Sequence, residues 1–147
     1  MPEQPEPWTG PAAAVLTETD SLTGRRFAVG RLDNGFFVLD DVTADTRLGP
    51  VELISLFEVE VEGQPGIVVA GIDDHAVTVT VEWDDGADRR LVRGGAWMTL
   101  PRLLTPGEHV TVSWDHQDGE QRFTTLGPLY ADDLIPNRPA WTPHANR

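Results

Sequence analysis

Few side chains in this 147-residue chain have the types and spacing that catalysis needs. The serines are Ser21, Ser55 and Ser113, and none lies in a Gly-x-Ser-x-Gly elbow. Ser113 falls on the wet face of an expected strand, with no base placed to take its proton. The histidines are His75, His109, His116 and His144, and no two form the H-x-x-x-H pair of a local zinc site. Cysteine and lysine are both absent, which excludes disulfides, thiolate catalysis, Schiff-base chemistry and a P-loop lysine.

Carboxylates are plentiful and cluster at expected turns: Asp40-Asp41, Asp73-Asp74-His75, Asp84-Asp85, Asp115-His116 with Asp118, and Asp132-Asp133. A calcium ion needs about six to eight oxygens converging at roughly 2.3–2.6 Å. Eight strand residues, 76–83, separate Asp73-Asp74 from Asp84-Asp85 by about 25 Å, so those pairs cannot share an ion. Asp84, Asp85, Asp115 and Asp118 are the metal candidates, on condition that their turns meet at one end of the fold. The favoured reading is turn chemistry, because aspartate caps its own backbone there. No EF-hand spacing occurs, and neither a cofactor nor an enzymatic activity is expected.

The elements that must position these groups read as strands. Val51, Leu53, Phe57, Val59 and Val61 alternate with Glu52, Glu58, Glu60 and Glu62. Val77, Val79, Val81 and Trp83 alternate with Thr78, Thr80 and Glu82, and Val110, Val112 and Trp114 with Thr111, Ser113 and Asp115. A period of two with β-branched residues inside predicts strands that are dry on one face. Asn34-Gly35 predicts a tight hairpin with two positive-φ positions, and Gly63 to Gly66, Asp84 to Gly86 and Gln117 to Gly119 mark further turns. Val79–Asp84 echoes Val110–Asp115, and Trp83 and Trp114 then end inward-facing rows as core anchors. No stretch of eleven residues has a helical period, and Leu48 to Leu56 holds a short turn at most.

Short strands joined by glycine turns predict one all-β domain over 12–130, a two-sheet antiparallel sandwich. Val69-Ala70-Gly71, Val77–Trp83, Asp85-Gly86 and Trp97 resemble immunoglobulin-like modules of high-GC bacteria. Leu104-Thr105-Pro106-Gly107 before Val110 is similar to the turn entering a late strand of fibronectin type III domains. Val110 stands where that family places a tyrosine. The resemblance spans about 68–126 and implies a fold, with no activity attached.

Proline-rich arms flank the domain. Residues 1–11 carry Trp8 behind Pro7, and residues 131–147 carry Trp141 near Pro139. Stiff, extended tryptophan-bearing segments suit insertion into a partner's groove, and they equally suit capping of the domain's own sheet edges. With 24 acidic residues against 11 arginines, the chain has a formal charge of −13, which opposes binding to nucleic-acid backbones or anionic membranes. Glu58, Glu60 and Glu62 stripe one strand, either as a solvated face or as a surface for a basic partner.

The start of the chain is acidic and proline-rich, unlike a signal peptide, and Gly66 to Ile72 is far shorter than the ~18 residues of a membrane span. The expectation is a cytoplasmic or assembly-associated, non-catalytic protein that docks on other subunits through Trp8 and Trp141, as in a phage virion. An acidic inhibitor and a carboxylate-dependent hydrolase or calcium module are the alternatives.

Overall fold

The computed structural model describes residues 12–136, and twelve strands account for most of them. The first sheet is a meander of β1 (Ala13–Thr19), β2 (Arg26–Arg31), β3 (Phe37–Asp41) and β4 (Thr46–Pro50). The second contains β5 (Ser55–Val61), β6 (Gln64–Ile72), β9 (Ala96–Met98) and β10 (Arg102–Leu103), with β9 and β10 both paired to β6. The third has the order β12 (Gln121–Leu129), β11 (Glu108–His116), β7 (Ala76–Trp83), β8 (Gly86–Leu91). Every strand pairing is antiparallel.

The expected two sheets are therefore three, and β6 explains why. Ile67, Val68, Val69 and Ala70 are all fully buried. Val68 and Ala70 pack into one core with Phe27, Leu39 and Phe57, whereas Ile67 and Val69 pack into another with Trp83, Trp97 and Trp114. Alternate residues of a strand point to opposite faces, so an unbroken apolar run marks a strand with a core on each side. The middle sheet serves as a wall between the two cores.

Trp83 and Trp114 are buried in the second core, as the alternation predicts. The two echoing segments are direct neighbours, pairing Thr111 with Glu82 and Trp114 with Val79. Running antiparallel, they place their tryptophans toward opposite ends of one sheet.

Two turns differ from expectation. Asn34-Gly35 sits in a three-residue loop closed by Leu32 N–H to Phe36 O and Gly35 N–H to Leu32 O. Only Gly35 takes positive φ there, at 90°, while the Asn34 side chain accepts the Phe36 N–H. Glu62 leaves the β5 stripe, because β5 ends at Val61 and Glu62 enters the hairpin turn with φ 52°.

The packed body also runs past residue 130. After a 3-10 turn at Ala131–Asp133, Leu134 is buried in the second core, and Ile135 bridges Phe57 in parallel. Ile135 donates to Leu56 O at 2.7 Å and accepts from Glu58 N–H at 2.8 Å, covering part of the β5 edge. At the other end Ala12, just before β1, donates its N–H to Asp40 Oδ2 of β3 at 3.0 Å. The expected docking residues Trp8, Pro7, Trp141 and Pro139 lie outside the described residues.

Candidate docking groove

The metal candidates do not meet. The β7–β11 register sets Glu82 beside Thr111 and Thr78 beside Asp115, so Asp84 and Asp85 lie at one end of the third sheet and Asp115 and Asp118 at the other. Each has a structural partner instead. Asp84 accepts from His109 N–H, and Asp85 pairs with Arg102 at 2.9 Å. Asp115 accepts from Thr78 Oγ1 at 2.8 Å and from Gln121 Nε2 at 3.0 Å, and Asp118 accepts from Glu120 N–H. The Arg102 hydrogen bond and charge hold the exposed Asp85 carboxyl below its ordinary pKa. Among the described residues no three His, Asp or Glu side chains converge as a metal site.

The serines are equally occupied or isolated. Ser55 is buried and accepts the Glu52 N–H through its hydroxyl at 2.9 Å. Ser113 pairs Phe123 and Thr80 across its two neighbouring strands. His144 lies outside the described residues.

The register unites Asp73 and His116, a pair that sequence reasoning missed. Asp73 precedes β7 and His116 ends β11, and His116 Nε2 lies 2.8 Å from Asp73 Oδ2. Asp73 Oδ1 also accepts the N–H groups of His75 and Ala76. Burial pushes the Asp73 pKa up, but the hydrogen bonds from His116, His75 and Ala76, with the attraction of His116, outweigh it and leave the carboxyl below its ordinary value.

This pair forms the rim of a groove of about 470 Å³ between the β4–β5 connection and β12. Leu53, Ile54, Trp114 and Leu126 contribute its apolar lining, with Phe123, Arg122 and Thr124 alongside. Ile54 and Leu126 pack against the second core, whereas Leu53 and Phe123 are 57% and 74% exposed. Trp114 is buried, and its indole N–H has no acceptor among the described residues.

Strand order exposes Phe123. In the β11–β12 pairing it shares a face with Gln121 and Thr125, opposite the row of Arg122, Thr124 and Leu126. Among the described residues β12 has β11 on one side and no strand on the other. The turn is closed by Gly119 N–H to His116 O and His116 N–H to Glu120 O. From that closure, antiparallel alternation gives ladder bonds to Arg122, Thr124 and Leu126 and aims the backbone N–H and C=O of Gln121, Phe123 and Thr125 at the open side. The opposite edge, β8, carries Asp88, Arg89 and Arg90, charges that discourage strand pairing. Residues 123–129 of β12 carry none.

The acidic stripe is shorter than expected. Glu58 and Glu60 share one face of β5, with Glu58 half-buried and Glu60 exposed. The side chains of Glu58, Glu60 and Glu62 make no salt bridge among the described residues.

No family model, curated protein or solved structure matches the chain. Among the described residues no helix is long and apolar enough to cross a membrane.

Proposed function

We propose that this chain is a non-catalytic structural or binding protein that docks on a protein partner, and that the groove at Leu53 together with the adjoining β12 edge at Phe123 is its docking surface. The observation that carries this reading is an apolar groove lined by Leu53, Ile54, Trp114 and Leu126, with Leu53 exposed at it and Phe123 exposed on the other face of the neighbouring edge strand, on a chain of net charge −13. A contiguous apolar patch on an otherwise charged surface is costly to keep wet and marks an interaction site. Trp8 and Trp141, with their neighbouring prolines, are the further anchors that the sequence offers to this reading. A subunit of a multi-subunit assembly, such as a phage virion, is the concrete form, with an immunoglobulin-like sandwich as rigid support.

The test is photo-crosslinking from position 123, with position 91 as control, in an extract of cells that make the protein. Leu91 is comparably exposed on the far edge strand. A discrete, salt-resistant protein adduct from position 123 alone is the expected result. Equal adducts from both positions would overturn the reading.

The acidic inhibitor remains as a second reading because the carboxylates of Glu58, Glu60 and Glu62 make no salt bridge among the described residues. It requires a 1:1 complex with a basic partner that weakens steeply as salt rises.

A further inference from the structure

Resting on the docking reading, we infer that the partner binds by adding a strand to the β12 edge, and that its segment is apolar in the middle and basic at both ends. Three observations carry this. First, Gln121, Phe123 and Thr125 present a row of backbone donors and acceptors with no strand beside them among the described residues. A chain laid there gains main-chain hydrogen bonds, and alternate side chains meet different surfaces. Those on the groove side reach Leu53 and Leu126, and those on the other side reach Phe123.

Second, residues 123–129 are uncharged, and they carry no inward charge or bulge opposite Phe123 and Thr125 to deter pairing. Third, carboxylates bracket that strip. Asp118 and Glu120 stand in the turn before β12, and Asp132 and Asp133 follow its end, all exposed. Glu120 is shared with Arg122, at 3.0 Å, while Asp118 and Asp133 each accept one backbone N–H and stay exposed. A segment with arginine or lysine at each end matches this charge pattern, and the net charge of −13 draws it in. The same charge works against a second copy of this chain as the occupant.

The experiment uses the full chain and three synthetic peptides. One has alternating valine and threonine with an arginine at each end, one has glutamate at each end, and one has the first composition with the alternation scrambled. Chemical shifts and amide exchange are read at Gln121, Phe123 and Thr125. The arginine-ended peptide is expected to slow exchange at these amides and to bind at least about tenfold tighter than the other two.

Thr125→Pro deletes an outward donor while sparing the bonds to β11, and is expected to weaken binding at least about tenfold. Thr125→Val also loses the Thr111–Thr125 hydroxyl contact but keeps the N–H, and is expected to bind like the wild type. Shifts at Leu53 and Leu126 without protection of Phe123 and Thr125 would overturn strand addition and leave the docking reading standing. No binding, or equal binding of glutamate-ended and arginine-ended peptides, would overturn the inferred partner. Protection that grows with protein concentration alone would assign the edge to a second copy and overturn it too.

Discussion

Asp73, just before β7, and His116, the last residue of β11, close one end of the third sheet's central pair beside the groove: Nε2 and Oδ2 stand 2.8 Å apart, with the His116 side chain nearly buried. The contact ties the β6–β7 connection to the end of β11, where the hairpin leading to Phe123 begins. A charge-assisted hydrogen bond in such a place fixes position as well as adding stability.

That pair sets a pH dependence. The Asp73 carboxyl titrates below its ordinary value of 3.8 in the folded chain, so the unfolded chain binds its proton first as the pH falls. Its stabilisation is complete above the ordinary carboxylate range and is lost as the pH falls through the lower folded value. Asp73→Asn is expected to cost about 1–3 kcal/mol at neutral pH, with the gap to wild type closing as the pH falls below the ordinary carboxylate value. Urea unfolding of both proteins at neutral and acid pH measures it. A gap that does not change with pH would show that the carboxylate charge has no part in the contact.

Asp40 poses a different electrostatic problem, because it is fully buried. Arg47 reaches it at 2.9 Å through Nε, and the Ala12 N–H bonds its other oxygen. Removing one partner of a buried pair strands the remaining charge, so Arg47→Ala is expected to cost about 3–5 kcal/mol. Arg122→Ala breaks an exposed pair with Glu120 and is expected to leave the urea midpoint unchanged. Midpoints for the two variants on one scale make the comparison. Equal losses would contradict the burial argument.

Much of this architecture was legible because alternation is local. Trp83 and Trp114 each close a row of period two, and a residue's parity along a strand decides whether it faces the core. The run from Ile67 to Ala70 carried the further message that both faces of its strand are covered, which separates three sheets from two. Register between distant segments was not legible. Whether Asp115 faces Asp73 or Asp84 depends on how β11 lies against β7, and no local pattern encodes that. Phe123 was missed for the same reason. Its parity with Gln121 and Thr125 places it outside, but only strand order shows that β12 is an edge.

Close approach at Gly71 links the middle sheet to the groove. A Cβ there would overlap the Leu53 carbonyl oxygen and the Trp97 ring. The carbonyl belongs to the backbone of the β4–β5 connection and cannot rotate away as a side chain would. Gly71→Ala is therefore expected to destabilise by about 1–3 kcal/mol and to displace Leu53. Gly86 has open space around its Cβ position and no positive φ, so Gly86→Ala serves as the neutral control. Thermal unfolding gives the stabilities, and the Leu53 methyl resonances report the displacement.

Exposure separates the groove's docking residues from those that hold the fold. Phe123 and Leu53 bury little of their surface, so little transfer free energy is lost on truncation, and Phe123→Ser or Leu53→Ser is expected to change stability by no more than about 0.5 kcal/mol. Trp114 lies beneath the same groove but is buried in the second core, and Trp114→Ala is expected to cost about 3–5 kcal/mol. Partner binding should divide the three variants differently: the two serine variants should lose it while remaining folded. Urea unfolding alongside the crosslinking yield from position 123, tested with Leu53→Ser, gives both readouts on one protein. Full crosslinking by folded Leu53→Ser would remove Leu53 from the docking surface and confine that surface to the β12 edge.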